Sequence, residues 1–459
     1  MEKYDLVVIG SGPAGEKAAT QAAYFGKRVA VVERRPTPGG IAVSDAGIPT
    51  KTLREAALYL TGFRHREVYG ISLALDAKLK LERLTRRTSE VREMMTEVVT
   101  QNLRRMKVDL IHGTARLGPG RTVLVGDRTL HAEKILLAPG SRPHHLDGIP
   151  WDDPGVSDSE RILELDRLPR TLLVVGGGAV GCEYASIFTA LGVEVTLVEA
   201  APQLLGFIDA EIAEHLTRAF TGMGMHVSTG RWLSEIVRTG DTALVARFRD
   251  GGEVTAEHVL VAGGRTSNIE GLGLAEAGVE VDARGRIVVD AHFETRAPGI
   301  YAAGDVIGPP ALASVSMEQG RVAACHAFDI SFKGQVDPLP PFGVYCIPEV
   351  AMVGLTEEAA RRTGVPVEVG RCPFARNTRA RIAGATEGLV KLVFRREDRV
   401  LLGVHIVGDI AAELIHVGQM AIAEGRPIDW FIHHTFNVPT YTEAYKYAAY
   451  DGLQRCAVS

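Results

Sequence analysis

Tyr4-Asp5-Leu6-Val7-Val8-Ile9-Gly10-Ser11-Gly12-Pro13-Ala14-Gly15 is the stretch on which the fold turns. Its first six residues are short, apolar and β-branched, which favours a buried strand over a helix. A glycine-rich turn follows, then an Ala-rich helix from Glu16 to Phe25 closed by Gly26, and a strand from Arg28 to Val32 that ends in Glu33. Each glycine has a physical reason. Gly10 permits the tight turn, Gly12 lets backbone approach a pyrophosphate, and Gly15 lets helix and strand pack closely. The helix N-terminus favours anionic phosphates, and Glu33 can accept hydrogen bonds from ribose hydroxyls.

The unit occurs twice. Thr171 to Val175 reads as a strand, followed by Gly176-Gly177-Gly178-Ala179-Val180-Gly181, a helix to Leu191, and a strand from Glu194 to Val198 ending at Glu199. Gly10 to Glu33 and Gly176 to Glu199 have the same separation. A lone G-x-G-x-x-G is weak evidence, but two complete strand–turn–helix–strand units with equal spacing imply two dinucleotides, one FAD and the other NAD(P). Three further strand-to-turn elements support this: Lys134 to Ala138 into Pro139-Gly140-Ser141-Arg142, His258 to Ala262 into Gly263-Gly264-Arg265, and Gly299-Ile300-Tyr301-Ala302-Ala303-Gly304-Asp305.

Composition bounds the rest. A chain of 459 residues corresponds to about three domains at ~150 residues each. It holds 50 glycines, well above the usual ~7%. The five cysteines, at 182, 325, 346, 372 and 456, are an odd, scattered set and not a secreted disulfide framework. Ordinary hydrophobic and charged fractions exclude disorder, coiled coil and collagen. A net charge of −5 gives no bias toward nucleic acid. No apolar run approaches the ~18 residues of a membrane span. The amino terminus runs straight into a strand, so no secretory signal is expected. The expected setting is the cytoplasm, and no Cys/His/Asp cluster has metal-ligand spacing.

On these motifs the chain resembles, nearly end to end, the pyridine nucleotide-disulfide oxidoreductase family, which includes dihydrolipoamide dehydrogenase and glutathione reductase. The resemblance implies an α/β fold: two Rossmann-like dinucleotide-binding domains plus a C-terminal α+β dimerisation domain. The expected boundaries are an FAD-binding domain at 1–145, an NAD(P)-binding domain at 146–269, a second FAD segment at 270–335 and a dimerisation domain at 336–459, which includes Ile347-Pro348-Glu349-Val350-Ala351-Met352-Val353-Gly354-Leu355-Thr356. It implies FAD contacts from Gly10, Gly12, Pro13, Ala14, Gly15, Glu33, Arg34, Gly39, Gly40, Lys51, Ala115, Gly140, Ser141, Gly304, Asp305, Leu312 and Ala313. It implies NAD(P) contacts from Gly176, Gly178, Ala179, Val180, Gly181, Glu199 and Gly264. The expected assembly is a homodimer or a larger oligomer.

The chain departs from the family at its thiol chemistry. The redox motif follows a Gly-Gly pair, ends in I-P-[ST]-K and carries two cysteines. Here the frame Gly39-Gly40-Ile41-Ala42-Val43-Ser44-Asp45-Ala46-Gly47-Ile48-Pro49-Thr50-Lys51 is intact, but the cysteine positions are Ala42 and Gly47. Neither can form a disulfide or a thiolate. The family's H-P-x-x-x-E motif is Val438-Pro439-Thr440-Tyr441-Thr442-Glu443. Its Glu remains, and its proton-carrying His is a Val. Two elements of one mechanism are absent together while both nucleotide motifs stand. The chain reads as built for flavin chemistry without thiols, and within the family it resembles the soluble pyridine nucleotide transhydrogenases through Gly140-Ser141-Arg142-Pro143-His144-His145, Gly181-Cys182-Glu183-Tyr184-Ala185-Ser186-Ile187-Phe188, Gly304-Asp305-Val306-Ile307-Gly308-Pro309-Pro310-Ala311-Leu312-Ala313-Ser314, and the residues flanking Val438.

That resemblance implies hydride transfer between NADH or NADPH and NAD⁺ or NADP⁺ through FAD alone, with ping-pong kinetics and both nucleotides competing for one site. It gives Lys51 and Glu183 the catalytic places, as a pair near flavin N5 where an ammonium favours the anionic reduced ring. Lys is uncommon in a first helical turn, which favours a specific partner for Lys51. Glu199 points the other way. A carboxylate at the second strand's end accepts the 2′-hydroxyl of NAD(H) and repels the 2′-phosphate of NADP(H), and Ala200-Ala201-Pro202-Gln203 supplies no arginine. Either a distant arginine helps or the acceptor is not NADP⁺.

Other residues read more plainly. Asp45 is expected as a turn residue, Cys182 as a small buried residue, His433-His434 as structural, and Leu84 to Met106 as a solvated helix. Two other functions fit the motifs: an NAD(P)H:quinone reductase using the vacant flavin face, and a redox-sensing flavoprotein.

Overall fold

The computed structural model describes residues 2–61 and 77–457. The chain divides into two compact units.

The first unit comprises Met1–Thr52, Arg86–His144 and Gly264–Pro338. Its sheet runs in the order Asp109–His112, Val29–Glu33, Glu2–Ile9, Arg128–Leu137, Thr122–Val125, Ala115–Gly118, and Ile300–Ala302 adds a strand alongside Arg128–Leu137. The central strands are parallel, with Val7 opposite both Ala30 and Ile135. Parallel strands covered on both faces need apolar residues at successive positions; Val29–Glu33 is buried throughout. The helix Pro13–Tyr24 starts earlier than the sequence suggests, because Pro13 occupies its first turn, where a missing N–H costs nothing. It crosses the helix Ala313–Ala327 so closely that a Cβ on Gly320 would fall on the Ala14 carbonyl oxygen.

The second unit comprises Leu53–Thr85, His145–Gly263 and Leu339–Ser459. One sheet is parallel, in the order His226–Ser228, Glu194–Val198, Thr171–Val175, His258–Val261, Val156–Ser157. Beside it in sequence lies a three-stranded antiparallel sheet, Leu233–Thr239, Ala243–Phe248 and Glu253–Ala256. A five-stranded antiparallel sheet, Phe342–Val344, Val350–Gly354, Leu401–Val407, Leu389–Arg395, Val367–Pro373, carries the helices Ala411–Ala423 and Glu443–Ala457. The regions expected as NAD(P)-binding and dimerisation domains thus share one unit. A buried ion cluster joins them: Lys391 Nζ lies 2.9 Å from Asp209 Oδ1, 2.9 Å from Glu211 Oε2 and 2.6 Å from Glu357 Oε2.

The first unit resumes at Gly264. The reason is a non-local pairing, in which Arg265–Ser267 runs antiparallel to Ser141–Pro143. Among the described residues no helix is long and apolar enough to cross a membrane.

Candidate functional site

The two turns are built alike. In the first, Gly10 has φ +100°, a conformation that favours glycine, and its N–H donates to the Val32 carbonyl at 2.8 Å. In the second, Gly176 has φ +110° and donates to the Val198 carbonyl at 2.8 Å. Gly12 and Gly178 are the N-caps of the helices Pro13–Tyr24 and Ala179–Ala190, and no side chain caps either. A glycine N-cap brings no side chain of its own to the helix start, which leaves room there for a phosphate.

The acidic strand ends also correspond. Glu33 Oε2 accepts from the Ser11 N–H at 2.9 Å and the Ser11 hydroxyl at 2.6 Å, and Oε1 accepts from the Arg35 N–H at 2.8 Å. Glu199 Oε2 accepts from the Gly177 N–H, and Oε1 accepts from the Ala201 N–H at 2.7 Å. Each carboxylate is fixed by its own turn and by the residue two places beyond it. The first has an added brace, since the Ser11 hydroxyl also accepts from the Gly39 N–H at 3.1 Å.

The remaining residues expected at FAD all belong to the first unit. Gly40 approaches Gly12 so closely that a Cβ on Gly40 would be 2.8 Å from the Gly12 α-carbon. Gly113 N–H donates to the Glu33 carbonyl at 2.9 Å, which brings the strand beginning at Ala115 beside that carboxylate's backbone. Arg34 is exposed. The Ser141 hydroxyl donates to Asp305 Oδ2 at 2.6 Å, Gly140 accepts from the Asn268 N–H at 3.0 Å, and Gly304 donates to Gln319 Oε1 at 2.9 Å. Leu312 and Ala313 are the N-cap and first residue of the helix Ala313–Ala327.

Gly176, Gly178, Ala179, Val180, Gly181 and Glu199 lie together in the second unit, whereas Gly264 lies in the first, where its carbonyl accepts from the His144 N–H at 2.9 Å. Lys51, in the helix Ile48–Thr61, belongs to the first unit, and Glu183 to the second. Glu183 is buried, and its Oε1 accepts from the Tyr345 N–H at 3.0 Å.

Residues without an assigned role in the sequence also enter the site's construction. Arg265 donates through Nε to the Ser141 hydroxyl at 2.7 Å and through Nη2 to the Ser141 carbonyl at 2.9 Å, so a guanidinium fixes the residue that fixes Asp305. Ser11 and Gln319 act as braces. Ser11 stands inside the quoted turn and Arg265 beside a quoted Gly-Gly pair, so adjacency was the available signal; nothing local marks Gln319.

The thiol positions are equally definite. Ala42 lies in the short helix Gly40–Ser44, and Gly47 just precedes the helix Ile48–Thr61. A Cβ on Gly47 would stand 2.7 Å from the Ala42 carbonyl oxygen. Asp45 closes the short helix and pairs with Arg35, as expected of a turn residue. All five cysteines are free thiols. Burial pushes the Cys182 thiol well up, and its Sγ donates to the Gly177 carbonyl at 3.4 Å. His434 Nδ1 lies 2.8 Å from the Trp430 carbonyl and its ring packs on Trp430. Val438 is exposed. Among the described residues no group of three or more His, Cys, Asp or Glu could hold a metal ion.

Comparison with known proteins places this architecture. The family described as pyridine nucleotide-disulphide oxidoreductase matches residues 4–320, and its dimerisation domain matches residues 340–449. The chain belongs to the pyridine nucleotide-disulphide oxidoreductase family. It is an FAD-dependent oxidoreductase that uses pyridine nucleotides, as this family is. It is 43% identical to a soluble pyridine nucleotide transhydrogenase of Mycobacterium tuberculosis, over 99% of this chain and 98% of that protein. It is 38% identical to one of Hahella chejuensis, over 99% of each. Among solved structures it is similar to the HOCl-induced flavoprotein disulfide reductase RclA from Escherichia coli, with TM-score 0.88 and 28% identity, covering 96% of this chain and 98% of that one. It is likewise similar to LpdA from Mycobacterium tuberculosis, with TM-score 0.88 and 28% identity, covering 98% and 99%.

Proposed function

We propose that this member of the family transfers hydride between pyridine nucleotides through FAD alone, by a ping-pong mechanism and with no disulfide relay. The observation that carries the proposal is the packing of Gly47 on Ala42, which leaves no space for a side chain at one of the two thiol positions, in a chain that keeps both nucleotide turns complete. The names of the curated relatives support the pyridine nucleotide transhydrogenation itself.

The donor set of the first unit fits FAD. Gly10, Gly12, Pro13, Ala14 and Gly15 form a bare turn at a helix N-terminus, and Gly40 meets Gly12 where any side chain would fill the cradle. Glu33, braced by Ser11, suits the adenosine ribose. Asp305, held by Ser141 and through it by Arg265, suits the polar chain between pyrophosphate and ring. When bound, FAD supplies two-electron hydride acceptance and donation. The residues Gly176, Gly178, Ala179, Val180, Gly181 and Glu199 hold the nicotinamide dinucleotide in turn, first as donor and then as acceptor. Lys51 supplies fixed positive charge. Glu183, held through Oε1 by the Tyr345 N–H at 3.0 Å, is the second catalytic residue that the resemblance assigns. The dimerisation domain supports a homodimer, and the cytoplasm is the proposed setting.

Anaerobic stopped-flow spectroscopy tests the reading. Holoenzyme is mixed with NADH, and NADP⁺, thio-NAD⁺ and a quinone are then offered separately while flavin absorbance is followed. Return of the oxidised spectrum with either nucleotide, at a rate matching turnover, is expected. Return with the quinone alone would replace the proposal by a quinone reductase, and measurable reduction of lipoamide would restore thiol chemistry.

A further inference from the structure

Glu199 sets a difficulty for NADP(H), because its carboxylate stands where a 2′-phosphate would be repelled. The chain brings an arginine to that carboxylate's own backbone. The Arg231 N–H donates to the Glu199 carbonyl at 3.0 Å, and the preceding Gly230, at φ +73°, donates to the Ala201 carbonyl at 2.9 Å. The Gly230–Arg231 turn is thereby pinned to both sides of the loop that ends the strand Glu194–Val198.

The Arg231 side chain is 22% exposed and its guanidinium is held in place. Nε lies 2.8 Å from Asp250 Oδ2 and Nη2 3.2 Å from Asp250 Oδ1, and the group lies over the Phe248 ring, 4.3 Å from its centroid. The Asp250 side chain is 52% exposed and its Oδ1 also accepts from the Gly252 N–H at 3.0 Å, so solvent screens this two-bond pair and Asp250 keeps a partner when the guanidinium leaves. A Cβ on Gly252 would collide with Arg231 Nη2, so glycine there leaves the guanidinium its place. Stacking on Phe248 keeps a planar fork preorganised for an oxyanion. The Gly177 and Ala201 N–H groups already offset part of the Glu199 charge.

We propose that Arg231 is the residue through which this site accepts the 2′-phosphate of NADP(H), exchanging Asp250 for the phosphate. The inference rests on the reading that NADP(H) is a substrate. NAD(H) uses Glu199 and leaves the Arg231–Asp250 pair closed; NADP(H) opens it. Arg231 thus sets specificity at the far end of the nucleotide from the hydride.

The test uses FAD-loaded enzyme and two probes, 2′,5′-ADP and 5′-AMP, with binding read by calorimetry beside kcat/KM for NADPH and NADH. Arg231→Gln is expected to weaken 2′,5′-ADP by about tenfold or more, to lower kcat/KM for NADPH to match, and to leave 5′-AMP and NADH unchanged. Arg231→Lys should restore part of the loss, and Asp250→Asn should tighten 2′,5′-ADP. Equal weakening of both probes by Arg231→Gln would mark a merely structural residue and overturn the proposal, as would an unchanged 2′,5′-ADP affinity. If the wild type transfers hydride from NADPH while Arg231→Gln does so equally well, the assignment of Arg231 fails and the transhydrogenase reading stands. If the wild type neither binds 2′,5′-ADP nor reacts with NADPH, both fail.

Discussion

Gly47 sits against Ala42: a Cβ added to Gly47 would be 2.7 Å from the Ala42 carbonyl oxygen and 3.1 Å from its α-carbon. Backbone is the obstacle on both counts, so no rotamer change can relieve it. Gly47→Ala is expected to destabilise the holoenzyme by ~1–3 kcal/mol, the usual cost of overpacking, read as a lower midpoint of thermal unfolding. An unchanged midpoint would mean that the segment 42–47 shifts freely and that its packing says little about thiol chemistry.

Thiol reagents should spare the activity. Cys182, Cys325, Cys346 and Cys372 are buried, and burial pushes their thiols up, Cys372 to about 11. The nucleophile is the thiolate, so alkylation of native enzyme at pH 7 should be slow at all four. Mass spectrometry should find modification first at the half-buried Cys456, with NADH-dependent hydride transfer retained. Loss of activity in step with any single alkylation would contradict flavin-only transfer.

Glu33 and Glu199 occupy matching places, and their variants should separate the two nucleotides. In Glu33→Gln an amide N–H₂ must face either the Ser11 or the Arg35 N–H, both of which now donate to the carboxylate. Losing charged acceptor bonds costs ~1.5–3 kcal/mol, so FAD affinity should fall about tenfold to a hundredfold, measured by flavin fluorescence after ultrafiltration. Glu199→Gln should leave FAD retention unchanged and raise KM for NADH.

The parts of the fold that were legible in the sequence are local. Thr171–Val175 and Glu194–Val198 have the expected bounds because glycines and polar residues delimit β-branched runs. Gly10 and Gly176 take left-handed backbone because their turns demand it within a few residues. What the sequence hid depends on pairing across long separations. Arg265–Ser267 joins Ser141–Pro143, and this puts the Arg265 guanidinium on Ser141. Arg231 meets Asp250 because Leu233–Thr239 runs antiparallel to Ala243–Phe248 with Leu233 opposite Phe248. Neither relation leaves a periodicity or a spacing to read.

Acid should unfold the protein partly through His258. Desolvation, with repulsion from Arg161, lowers its pKa to about 4, and its Nε2 lies 2.9 Å from the Ser157 hydroxyl. The unfolded chain binds this proton near pH 6.5. Stability from the neutral ring is therefore complete above about pH 6.5 and is lost as pH falls toward 4, a term of ~3 kcal/mol. His405, also buried with a lowered pKa, adds in the same direction. Denaturant midpoints should fall from pH 7 to pH 4.5, and His258→Asn should flatten that slope. A slope unchanged by His258→Asn would remove the ring from the account.

Lys391 has the opposite charge logic. Its ammonium, 1% exposed, contacts Asp209, Glu211 and Glu357, while Arg371 Nε reaches Glu211 at 2.7 Å. Against the cost of burial, hydrogen bonds from Arg371 and then Lys391 hold Glu211 at about 2, and Asp209 and Glu357, both bonded to Lys391, are also held below their ordinary range. Lys391→Met leaves these anions crowded with one fewer cation and should cost ~3–5 kcal/mol at pH 7, as breaking buried pairs does. The pH dependence gives the sign. The depressed carboxyl pKa values stabilise the wild type above about pH 4.5, and that contribution is lost as pH falls toward 2. In Lys391→Met, protonation relieves the repulsion instead, so the gap in thermal midpoint between variant and wild type should be widest at neutral pH and narrow below pH 4. A gap independent of pH would assign the loss to packing of the Lys391 stem rather than to its charge.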